Sequence, residues 1–437
     1  MKLVPYPEYK DSGVPWLGRI PAHWDTRKTK YLFNERSQKG YPNETLLAAT
    51  QTKGVVPKSM YETRTVTAQK DLHLLKLVEV GDFVISLRSF QGGIEQAYFR
   101  GIISPAYTVM IPRSEMERNY FKHLAKSKPF LGLLKTCVTG IREGQNIDYE
   151  RLRKSMLPMP NGAEQTQIAR FLDWKTAQIN KFIRNKRRLI ALMAEQRGVL
   201  AEHAIASAET QYLRLDRVVT LLAKPITKEP EKTYTPIGMF NRGRGIFHKP
   251  LTEGKHLGDS TFFRIEKGDL IFSGQFAWEG AVAVANAEDD GCIASHRYPI
   301  AKCMLDVVTP EYLYTFFLSK AGDLLLNHHS RGAAGRNRPL NPRSLLKEKI
   351  PVPPLHLQRE VGDFFNEEQL VRREIEKEIA LIREYRARLI ADVVTGQVDV
   401  RGIEVPEVAE EELLALDEDS ADADEVIDDE LEVEVEE

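Results

Sequence analysis

The sequence predicts an α/β protein made of two similar units, each a mixed domain of short strands and helices followed by one long helix. Two observations support this prediction. A set of motifs occurs twice in the same order, and two stretches of about 40 residues each carry heptad-like apolar spacing. At 437 residues the chain also exceeds the size of one typical core, so at least two domains are expected.

Three motifs of the first half return in the second half. VEVGDFVIS (78–86) returns as IEKGDLIFS (265–273), YFKHLAKS (120–127) as YLYTFFLS (312–319), and LPMPNGAEQTQIARFLD (157–173) as IPVPPLHLQREVGDFFN (350–366). The offsets are 187, 192 and 193 residues, nearly constant along the chain. Three matches in one register indicate a duplicated unit.

The order of segments follows from this repeat. Gly-punctuated apolar runs such as GDFVISLRS, PAYTVMIP and GDLIFSG predict short strands between turns, and each long helix begins after a proline-rich stretch. The predicted segments are an N-terminal arm at 1–25, a first mixed domain at 26–160, a first long helix at 161–210, a second mixed domain at 211–353, a second long helix at 354–402 and an acidic tail at 403–437.

The two long helices are expected to pair with each other. Their apolar residues alternate three and four apart, as in a coiled-coil seam. The predicted seam positions are Ile168, Leu172, Ile179, Phe182, Leu189, Met193 and Leu200 on the first helix and Val361, Phe364, Val371, Ile375, Ile382, Tyr385 and Leu389 on the second. Antiparallel pairing would relate the two mixed domains by a pseudo-twofold axis. Two helices that each dock on their own domain remain the alternative.

The net charge hides an uneven distribution. The chain has 61 Lys and Arg against 63 Asp and Glu, a net charge of −2. Residues 404–437 hold 18 of these acids and no Lys or Arg, and 63 − 18 leaves 45 acids against 61 bases, or +16, for the rest of the chain. A basic body suits a polyanion, because each cation that neutralises a phosphate releases a condensed counterion. A solvated basic surface without such a ligand is the alternative.

The sequence lacks the motifs of common catalytic and cofactor sites. It contains no GxxxxGK[ST] phosphate loop, no GxSxG elbow and no HExxH, and Cys137, Cys292 and Cys303 form no CxxC pair. Asp289 and Asp290 in NAEDDGC are interpreted as a solvated turn. We therefore expect free thiols, no metal and no catalysis by this chain.

A membrane location is not expected. The longest uncharged apolar runs are shorter than the roughly 20 residues that a membrane helix needs. Pro5, Glu8 and Lys10 interrupt any signal-peptide pattern at the start. The sequence therefore predicts a cytoplasmic protein with no membrane partner.

Four stretches together resemble the specificity subunits of type I restriction-modification systems. YKDSGVPWLGRIPAHW (9–24) resembles the N-terminal signature of that family, and LIADVVTGQVDVRG (389–402) resembles the sequence at the C-terminal end of its members. LPMPNGAEQTQIARFLD and IPVPPLHLQREVGDFF resemble its proline-rich starts of the two spacer helices. The resemblance covers about residues 6–402. The resemblance implies that Trp16 and Trp24 pack the arm against helix ends. It also implies that WDTRKTKYLF and YLRLDRVVTLL (212–222) are equivalent segments, each leading into a mixed domain.

The resemblance implies a fold and a function. Such subunits carry two mixed α/β target recognition domains separated by an antiparallel pair of spacer helices. Each domain reads one half of a gapped, bipartite target in double-stranded DNA, and the helices set the gap and bind two modification (methyltransferase) subunits. Two restriction (motor-nuclease) subunits complete the cleaving form of the complex. The chain would be a non-catalytic subunit, with S-adenosylmethionine, ATP and Mg²⁺ used by the partner subunits.

Candidate DNA-binding residues lie on polar, Gly-spaced loops at strand ends. Arg pairs with guanine and Gln or Asn with adenine in the commonest base contacts. The candidates are Ser86, Arg88, Ser89, Gln91, Arg142, Gln145 and Asn146 in the first domain and Ser273, Gln275, His296, Arg297, Arg336, Asn337 and Arg338 in the second. Each of them could instead hold a phosphate or lie in a solvated loop. Phosphate contact is the preferred interpretation for Lys53, Arg64, Arg242 and Arg244, whereas Phe276 and Trp278 are expected in the core.

Two other function classes stay open. A helical scaffold that binds protein partners without reading DNA would leave the basic surface unused. A self-contained DNA nuclease would need a catalytic cluster that the sequence does not display. The composition of the acidic tail predicts disorder. The tail would either cover a basic surface in the absence of DNA or act only as a solubilising appendage.

Overall fold

The computed structural model describes residues 3–51, 53–60, 71–87, 89–139, 146–222, 225–332 and 338–408. The chain divides into two compact units. Unit 1 contains the described residues of Met1–Asn185 and Lys377–Asp422, and unit 2 contains those of Lys186–Glu376. Most of the tail that was predicted to be disordered, from residue 409 onward, lies outside the described residues.

Among the described residues, unit 1 carries five short α-helices and fourteen strands. The ladders between these strands are antiparallel, and single parallel bridges join Leu46 to Ile102 and Val55 to Ala97. Its helices are α1 (Thr29–Leu32), α2 (Ser89–Gly92), α3 (Arg118–Lys126), α4 (Lys128–Thr136) and α5 (Tyr149–Lys154). Its strands are β1 (Tyr9–Asp11), β2 (Arg19–Pro21), β3 (Asp25–Lys28), β4 (Phe33–Arg36), β5 (Leu47–Thr50), β6 (Gly54–Pro57), β7 (Lys76–Val78), β8 (Phe83–Ile85), β9 (Glu95–Gln96), β10 (Gly101–Ile103), β11 (Thr108–Pro112), β12 (Val138–Thr139), β13 (Asn146–Ile147) and β14 (Met156–Met159). The central sheet has the order β4-β11-β8-β9.

The long helix α6 (Gly162–Ile205) begins in unit 1 and ends in unit 2, where twelve further strands and three short helices are described. The strands are β15 (Gln211–Arg214), β16 (Val219–Leu221), β17 (Thr233–Tyr234), β18 (Ile237–Met239), β19 (Ile246–His248), β20 (Thr252–Glu253), β21 (Phe262–Arg264), β22 (Leu270–Phe272), β23 (Val282–Val284), β24 (Ile293–Ser295), β25 (Ile300–Cys303) and β26 (Lys349–Val352). The helices are α7 (Pro310–Leu318), α8 (Lys320–His329) and α9 (Pro342–Leu345), followed by the second long helix α10 (Leu355–Val394).

The two units share one topology. The central sheet of unit 2 has the order β16-β25-β22-β23, which repeats β4-β11-β8-β9 strand for strand. Likewise β3 pairs with β14 as β15 pairs with β26, so the chain after the arm corresponds to the chain after α6, as expected. The structure thus confirms the predicted α/β class and its internal repeat.

The repeated Gly-Asp motif forms the same turn before the same strand in both units. Gly81 and Gly268 have φ angles of 88° and 89°, a region that side-chain-bearing residues avoid. The following Asp82 and Asp269 are buried, and each carboxylate accepts a backbone N–H three residues earlier, both at 2.9 Å. The motif therefore recurs because each turn needs a positive φ followed by a local carboxylate acceptor.

The N-terminal arm packs into the core of unit 1. Trp24 is fully buried, and its ring lies edge-on to Tyr6 at 5.9 Å. Trp16 lies edge-on to Phe130 of α4 at 6.2 Å. Gly396, just after α10, leaves no room for a Cβ beside Pro21 and Trp24. The structural role that was expected for both tryptophans is confirmed.

Within each unit, parts of α6 and α10 pack against each other in opposite directions. In unit 1 Phe171 and Leu172 share a core with Val393, and further along α6 Asn180 bonds to Arg386 at 2.5 Å. In unit 2 Arg197 pairs with Glu368, and further along α6 Ala204 packs with Val361. Residue numbers rise on one helix as they fall on the other, as antiparallel pairing requires.

The predicted apolar seam is partly wrong. Phe182, Leu189 and Tyr385 are 37%, 43% and 42% exposed. Phe364 is only half-buried, whereas its neighbour Phe365 is buried. Several buried positions are polar instead: Asn180, Arg197, Gln358 and Glu368. The 3.5-residue pattern predicted the helices but not these polar pairs, because a buried polar side chain is invisible to a search for apolar spacing.

One buried glutamine fixes each long helix to its own domain. Gln165 accepts the N–H of Glu117 at 2.9 Å and donates to the carbonyls of Glu115 and Pro160 at 3.1 and 2.9 Å. Gln358 makes the same three bonds in unit 2, to Thr309 at 2.8 Å, Val307 at 3.0 Å and Pro353 at 2.7 Å. The two glutamines occupy equivalent positions of the repeat, so the junction between domain and helix is duplicated with it.

The cysteines, the Asp289–Asp290 turn and the helix lengths were also predicted from the sequence. All three cysteines are free. Asp289 is 2% exposed and accepts bonds from His248 and Asn286, so the predicted solvated turn is wrong for this residue, while Asp290 is exposed. Among the described residues, no helix has both the length and the apolar character to span a membrane.

Candidate nucleic-acid interface

In unit 1 the first candidate loop begins where β8 ends. Ser89 is buried, and its hydroxyl accepts the N–H of Ser86 at 2.8 Å, which starts the short helix α2. Gln91 on that helix is exposed. Gly93 follows with a φ of 93° and leaves no room for a Cβ against the carbonyl oxygen of Ala125. Ser89 thus has a structural hydrogen bond, and Gln91 is a polar candidate that this loop presents to solvent, together with Leu87, which is 44% exposed.

The second candidate loop of unit 1 lies beyond α4. Asn146 is exposed on β13, opposite Thr139 of β12. The helix α4 precedes β12 and packs against α2, so both candidate loops border the same helix. Arg64, Arg88, Arg142 and Gln145 lie outside the described residues.

In unit 2 three candidate loops meet at one glycine. The N–H of Gly274 donates to the carbonyl of Arg297 at 2.6 Å, and the carbonyl of Gly274 accepts the N–H of Leu340 at 2.7 Å. A Cβ at this position would clash with the carbonyl oxygen of Arg297. We call Gly274, Arg297 and Leu340 the Gly274 junction. It brings together candidates from the loops around 275, 296 and 338, which are far apart in sequence.

Ser273 and Gln275 flank the junction glycine. Ser273 is buried, and its hydroxyl accepts the N–H of Phe276 at 3.1 Å, a structural contact like that of Ser89. Gln275 is half-buried, and its carbonyl accepts the indole N–H of Trp278 at 3.1 Å. Phe276 is buried in the core, as expected.

Arg338 stacks on the loop that carries Gln275. Its guanidinium lies 4.8 Å from the ring centroid of Trp278, which is only half-buried. A cation over an indole face is held by the ring quadrupole while its N–H groups remain able to donate in the ring plane. Trp278 therefore holds Arg338 on the loop that begins at Gln275. Arg336 and Asn337 lie outside the described residues.

His296 opens onto a cleft of about 550 Å³ beside the junction. The side chain is exposed, and its backbone N–H donates to Thr261 at 2.9 Å. Arg331 and Arg343 line the same cleft and are exposed. These two arginines were not among the candidates predicted from the sequence, since each is separated from the GRNRP stretch by several residues and only the fold brings them near His296.

Arg242 lies on a loop that docks next to Trp278. Its N–H donates to Glu279 at 2.9 Å, and the next N–H, of Gly243, donates to Gly280 at 2.8 Å. These bonds hold Arg242 at a φ of 52°, a left-handed conformation that is costly for an arginine. The side chain is exposed. A strained backbone that presents an exposed cation suggests a functional constraint.

Five arginines of unit 2 lie on loops close to the Gly274 junction. They are Arg242, Arg297, Arg331, Arg338 and Arg343. Such an array can hold phosphate oxygens, while Gln275 and the guanidinium of Arg338 are the groups suited to base edges. Among the described residues, no group of His, Cys, Asp and Glu side chains is arranged to hold a metal ion.

This chain is similar in fold to solved protein structures. No protein-family model matches the sequence. No curated protein matches it either. One solved chain is similar at a TM-score of 0.52 and 14% identity, over 86% of this chain and 98% of that chain. Its structure is described as the structural basis underlying complex assembly and conformational transition of the type I R-M system. This likeness shows a shared fold.

Two further solved structures are similar over most of their length. The HsdS subunit from Thermoanaerobacter tengcongensis has a TM-score of 0.37 and 16% identity, over 88% of this chain and 98% of that chain. The type I restriction-modification system S subunit from M. genitalium has a TM-score of 0.41 and 14% identity, over 89% of this chain and 97% of that chain.

Proposed function

We propose that this chain is the DNA sequence-specificity subunit of a type I restriction-modification complex. The observation that carries the proposal is the duplication of one mixed unit, in which the strand after the Gly-Asp turn ends in a polar loop both times. A protein with two equivalent readers suits a two-part target on duplex DNA. The fold shared with a chain of a type I system supports the same assignment.

Each unit would read one half of a gapped target. In unit 2 Arg338 and Gln275 would approach base edges in the major groove, since Trp278 stacks under the guanidinium of Arg338 and donates its indole N–H to the backbone carbonyl of Gln275. Arg242, Arg331 and Arg343 would hold phosphates and fix the register of the domain on the duplex. In unit 1 Gln91 and Asn146 are the described side chains exposed for the corresponding contacts.

The chain would act without chemistry of its own. The modification subunits would bring S-adenosylmethionine and methylate adenine, and the restriction subunits would use ATP and Mg²⁺. The helices α6 and α10 would carry two modification subunits and set the unread gap between the half-targets. All these partners work on intracellular DNA, which agrees with a cytoplasmic location.

The test is a methylation map. The chain is co-expressed with the modification subunit from the same host, supplied with S-adenosylmethionine, and methylated adenines are located on a random-sequence DNA library. The expected result is a two-part motif with a fixed gap. Arg338→Ala should relax one half of the motif by about 1–3 kcal/mol of discrimination and leave the other half unchanged. A stable complex that methylates no defined sequence would contradict the proposal.

A further inference from the structure

The cleft beside His296 in unit 2 combines apolar walls with basic side chains. Leu222 and Phe263 are half-buried in its walls, and His296, Arg331 and Arg343 line it and are exposed. None of the described residues that line the cleft is Asp or Glu. Its volume of about 550 Å³ is larger than one phosphate group needs. The cleft therefore suits an anion that also has an apolar face.

The histidine of the cleft is specific to unit 2. The segment SPAYTVM (104–110) of unit 1 corresponds to SHRYPIA (295–301) of unit 2, because both lead into the equivalent strands β11 and β25 in the same register. His296 therefore lies where unit 1 has Pro105. The repeated fold does not require a histidine at this position.

The two arginines likewise replace residues without a positive charge. The N-cap residue of α9 donates its N–H to the C-terminal end of α8, as the N-cap residue of α5 donates to the C-terminal end of α4, both at 2.8 Å. These equivalent bonds align Arg331 with Thr139 and Arg343 with Glu150. Because one unit folds with Thr and Glu at these positions, the basic side chains of the other are available to a ligand.

A nucleotide that has left the base stack has the chemistry that this cleft accommodates. In a duplex the faces of the bases are stacked on their neighbours, and a protein meets only base edges, sugars and phosphates. An unpaired nucleotide exposes a planar apolar face together with its phosphate, and proteins hold such a base against apolar and aromatic side chains. The wall that contains Phe263 suits the base, and Arg331 and Arg343 suit the phosphate.

The cleft adjoins the surface that is proposed to bind DNA. Leu340 lines the cleft, and its N–H donates to the carbonyl of Gly274 at the junction at 2.7 Å. Arg331 is held by a bond from its Nε atom to the carbonyl of His328 at 3.0 Å, while its side chain remains exposed. A DNA strand at the Gly274 junction is thus next to the cleft, so that one nucleotide can enter it.

We propose that the cleft of unit 2 binds one unpaired nucleotide of the target DNA, with its base against the apolar wall and its phosphate at Arg331 and Arg343. The inference rests on the proposed function and adds a ligand to one of the two units. Since unit 1 lacks the three basic side chains at the equivalent positions, the unpaired nucleotide belongs to the half-target that unit 2 reads.

The experiment compares matched and mismatched duplexes once the two-part motif has been mapped. Arg338→Ala identifies the half-target of unit 2. The full chain is then titrated with the matched duplex and with duplexes that carry one mismatch, moved position by position through each half-target and its flanks. A mismatch removes the cost of unpairing, so at one position in the half-target of unit 2 it should tighten binding about tenfold or more. Weaker or unchanged binding for every mismatch overturns the inference.

Replacements taken from unit 1 test the cleft itself. Arg331→Thr and Arg343→Glu introduce the residues with which the equivalent unit folds, and each should abolish the preference for the mismatched duplex. Arg264→Thr is the matched control, since Arg264 is exposed next to Phe263 and does not line the cleft. A preference that survives in both cleft variants overturns the inference.

A crosslink identifies the occupant. An iodouracil at the favoured position of the duplex is expected to crosslink on irradiation to peptides that contain Phe263 or His296, and a crosslink only elsewhere overturns the inference. Binding of AMP or ATP to the chain without DNA, lost in Arg331→Thr, overturns it in favour of a free nucleotide. If the chain directs no two-part motif, the proposed function itself fails. A mapped motif without a favoured mismatch removes the cleft inference alone.

Discussion

Single residues of unit 2 fix the shape of the candidate interface, and Arg242 is the clearest example. Its left-handed backbone costs roughly 1 kcal/mol relative to an ordinary conformation, and the fold keeps it through two backbone bonds to the loop that carries Trp278. A glycine would adopt the same φ without that cost. The retained strain is explained if the guanidinium contacts DNA.

Arg242→Gly should therefore separate stability from binding. We expect the free energy of unfolding to stay equal or rise by up to about 1 kcal/mol. DNA affinity should fall, and the slope of log affinity against log salt should decrease by about 1, as for the loss of one phosphate contact. Asp71→Gly is the control, because Asp71 has a φ of 61° but carries no positive charge. Unchanged DNA affinity in Arg242→Gly would contradict the assignment.

Asp173 is a residue whose contribution depends on pH. Burial raises the pKa of this carboxyl, but the His123 imidazole at 2.8 Å and the Lys122 ammonium at 3.0 Å outweigh burial and lower the pKa to about 2. The unfolded-state pKa is about 3.9. A lowered folded-state pKa gives stability that is fully present above the unfolded pKa and is lost as pH falls through the folded one.

Asp173→Asn should thus destabilise unit 1 by about 2 kcal/mol near neutral pH. The difference from the parent should shrink as pH falls from about 4 to 2. Urea unfolding at a series of pH values measures it. Asp25→Asn, at a side chain that is 79% exposed, should change stability by less than about 0.5 kcal/mol. A difference that stays constant down to pH 2 would show that the carboxylate charge is not responsible.

At the scale of elements, the long helices are joined by buried polar pairs rather than by a continuous apolar seam. Arg197 and Glu368 are both nearly inaccessible, and Arg372 also donates to Glu368 at 3.2 Å. Removing one member of such a pair leaves a buried charge, whereas replacing both by apolar side chains does not.

We expect Glu368→Leu, which removes the acceptor of both arginines, to destabilise unit 2 by about 3 kcal/mol. Arg197→Met should cost less, because Arg372 still donates to Glu368, and the double variant should lose less than the sum of the two. Hydrogen exchange on peptides of unit 2 measures this directly. Arg153→Ala, which breaks an exposed pair with Glu150 in unit 1, should cost about 0.5 kcal/mol or less. Additive losses in the double variant would mean that the pair is not coupled.

The duplicated glutamines Gln165 and Gln358 should each stabilise only the unit in which they lie. Gln358→Leu keeps the volume but removes one acceptor and two donated bonds at a buried junction, which should destabilise unit 2 by about 3 kcal/mol. Gln165→Leu should do the same to unit 1. Hydrogen exchange read separately in the two units tests whether each effect stays local, with exposed Gln196→Leu as the control. Equal loosening of both units by either variant would contradict a local junction.

The repeat largely determined what could be predicted from the sequence for the whole molecule. The packing role of Trp24 came from the resemblance of the N-terminal arm to a family signature. Motif spacing predicted the duplicated unit and the two long helices, because each depends on a local pattern. It could not place Gly274, Arg297 and Leu340 together or find Arg331 and Arg343, since those contacts join residues that are distant in sequence. Asp289 was misjudged because a buried carboxylate in a turn has the same local sequence as a solvated one.

If the proposed function holds, the acidic tail should compete with DNA for the basic surface of the rest of the chain. Residues 409–437 carry 16 acids and no Lys or Arg, so their removal changes the net charge from −2 to +14. A tethered polyanion is present at a high effective concentration beside any basic surface that it can reach, and there it competes with DNA phosphates.

Truncation after residue 408 should therefore tighten DNA binding and make its salt dependence steeper. Titration of the full and truncated chains into the same duplex at several salt concentrations measures both quantities. A chain of full length whose tail acids are replaced by Asn and Gln should bind like the truncated chain, since charge rather than length is responsible. If truncation changes solubility but neither the affinity nor the salt slope, the tail is a solubilising appendage and does not compete for the DNA surface.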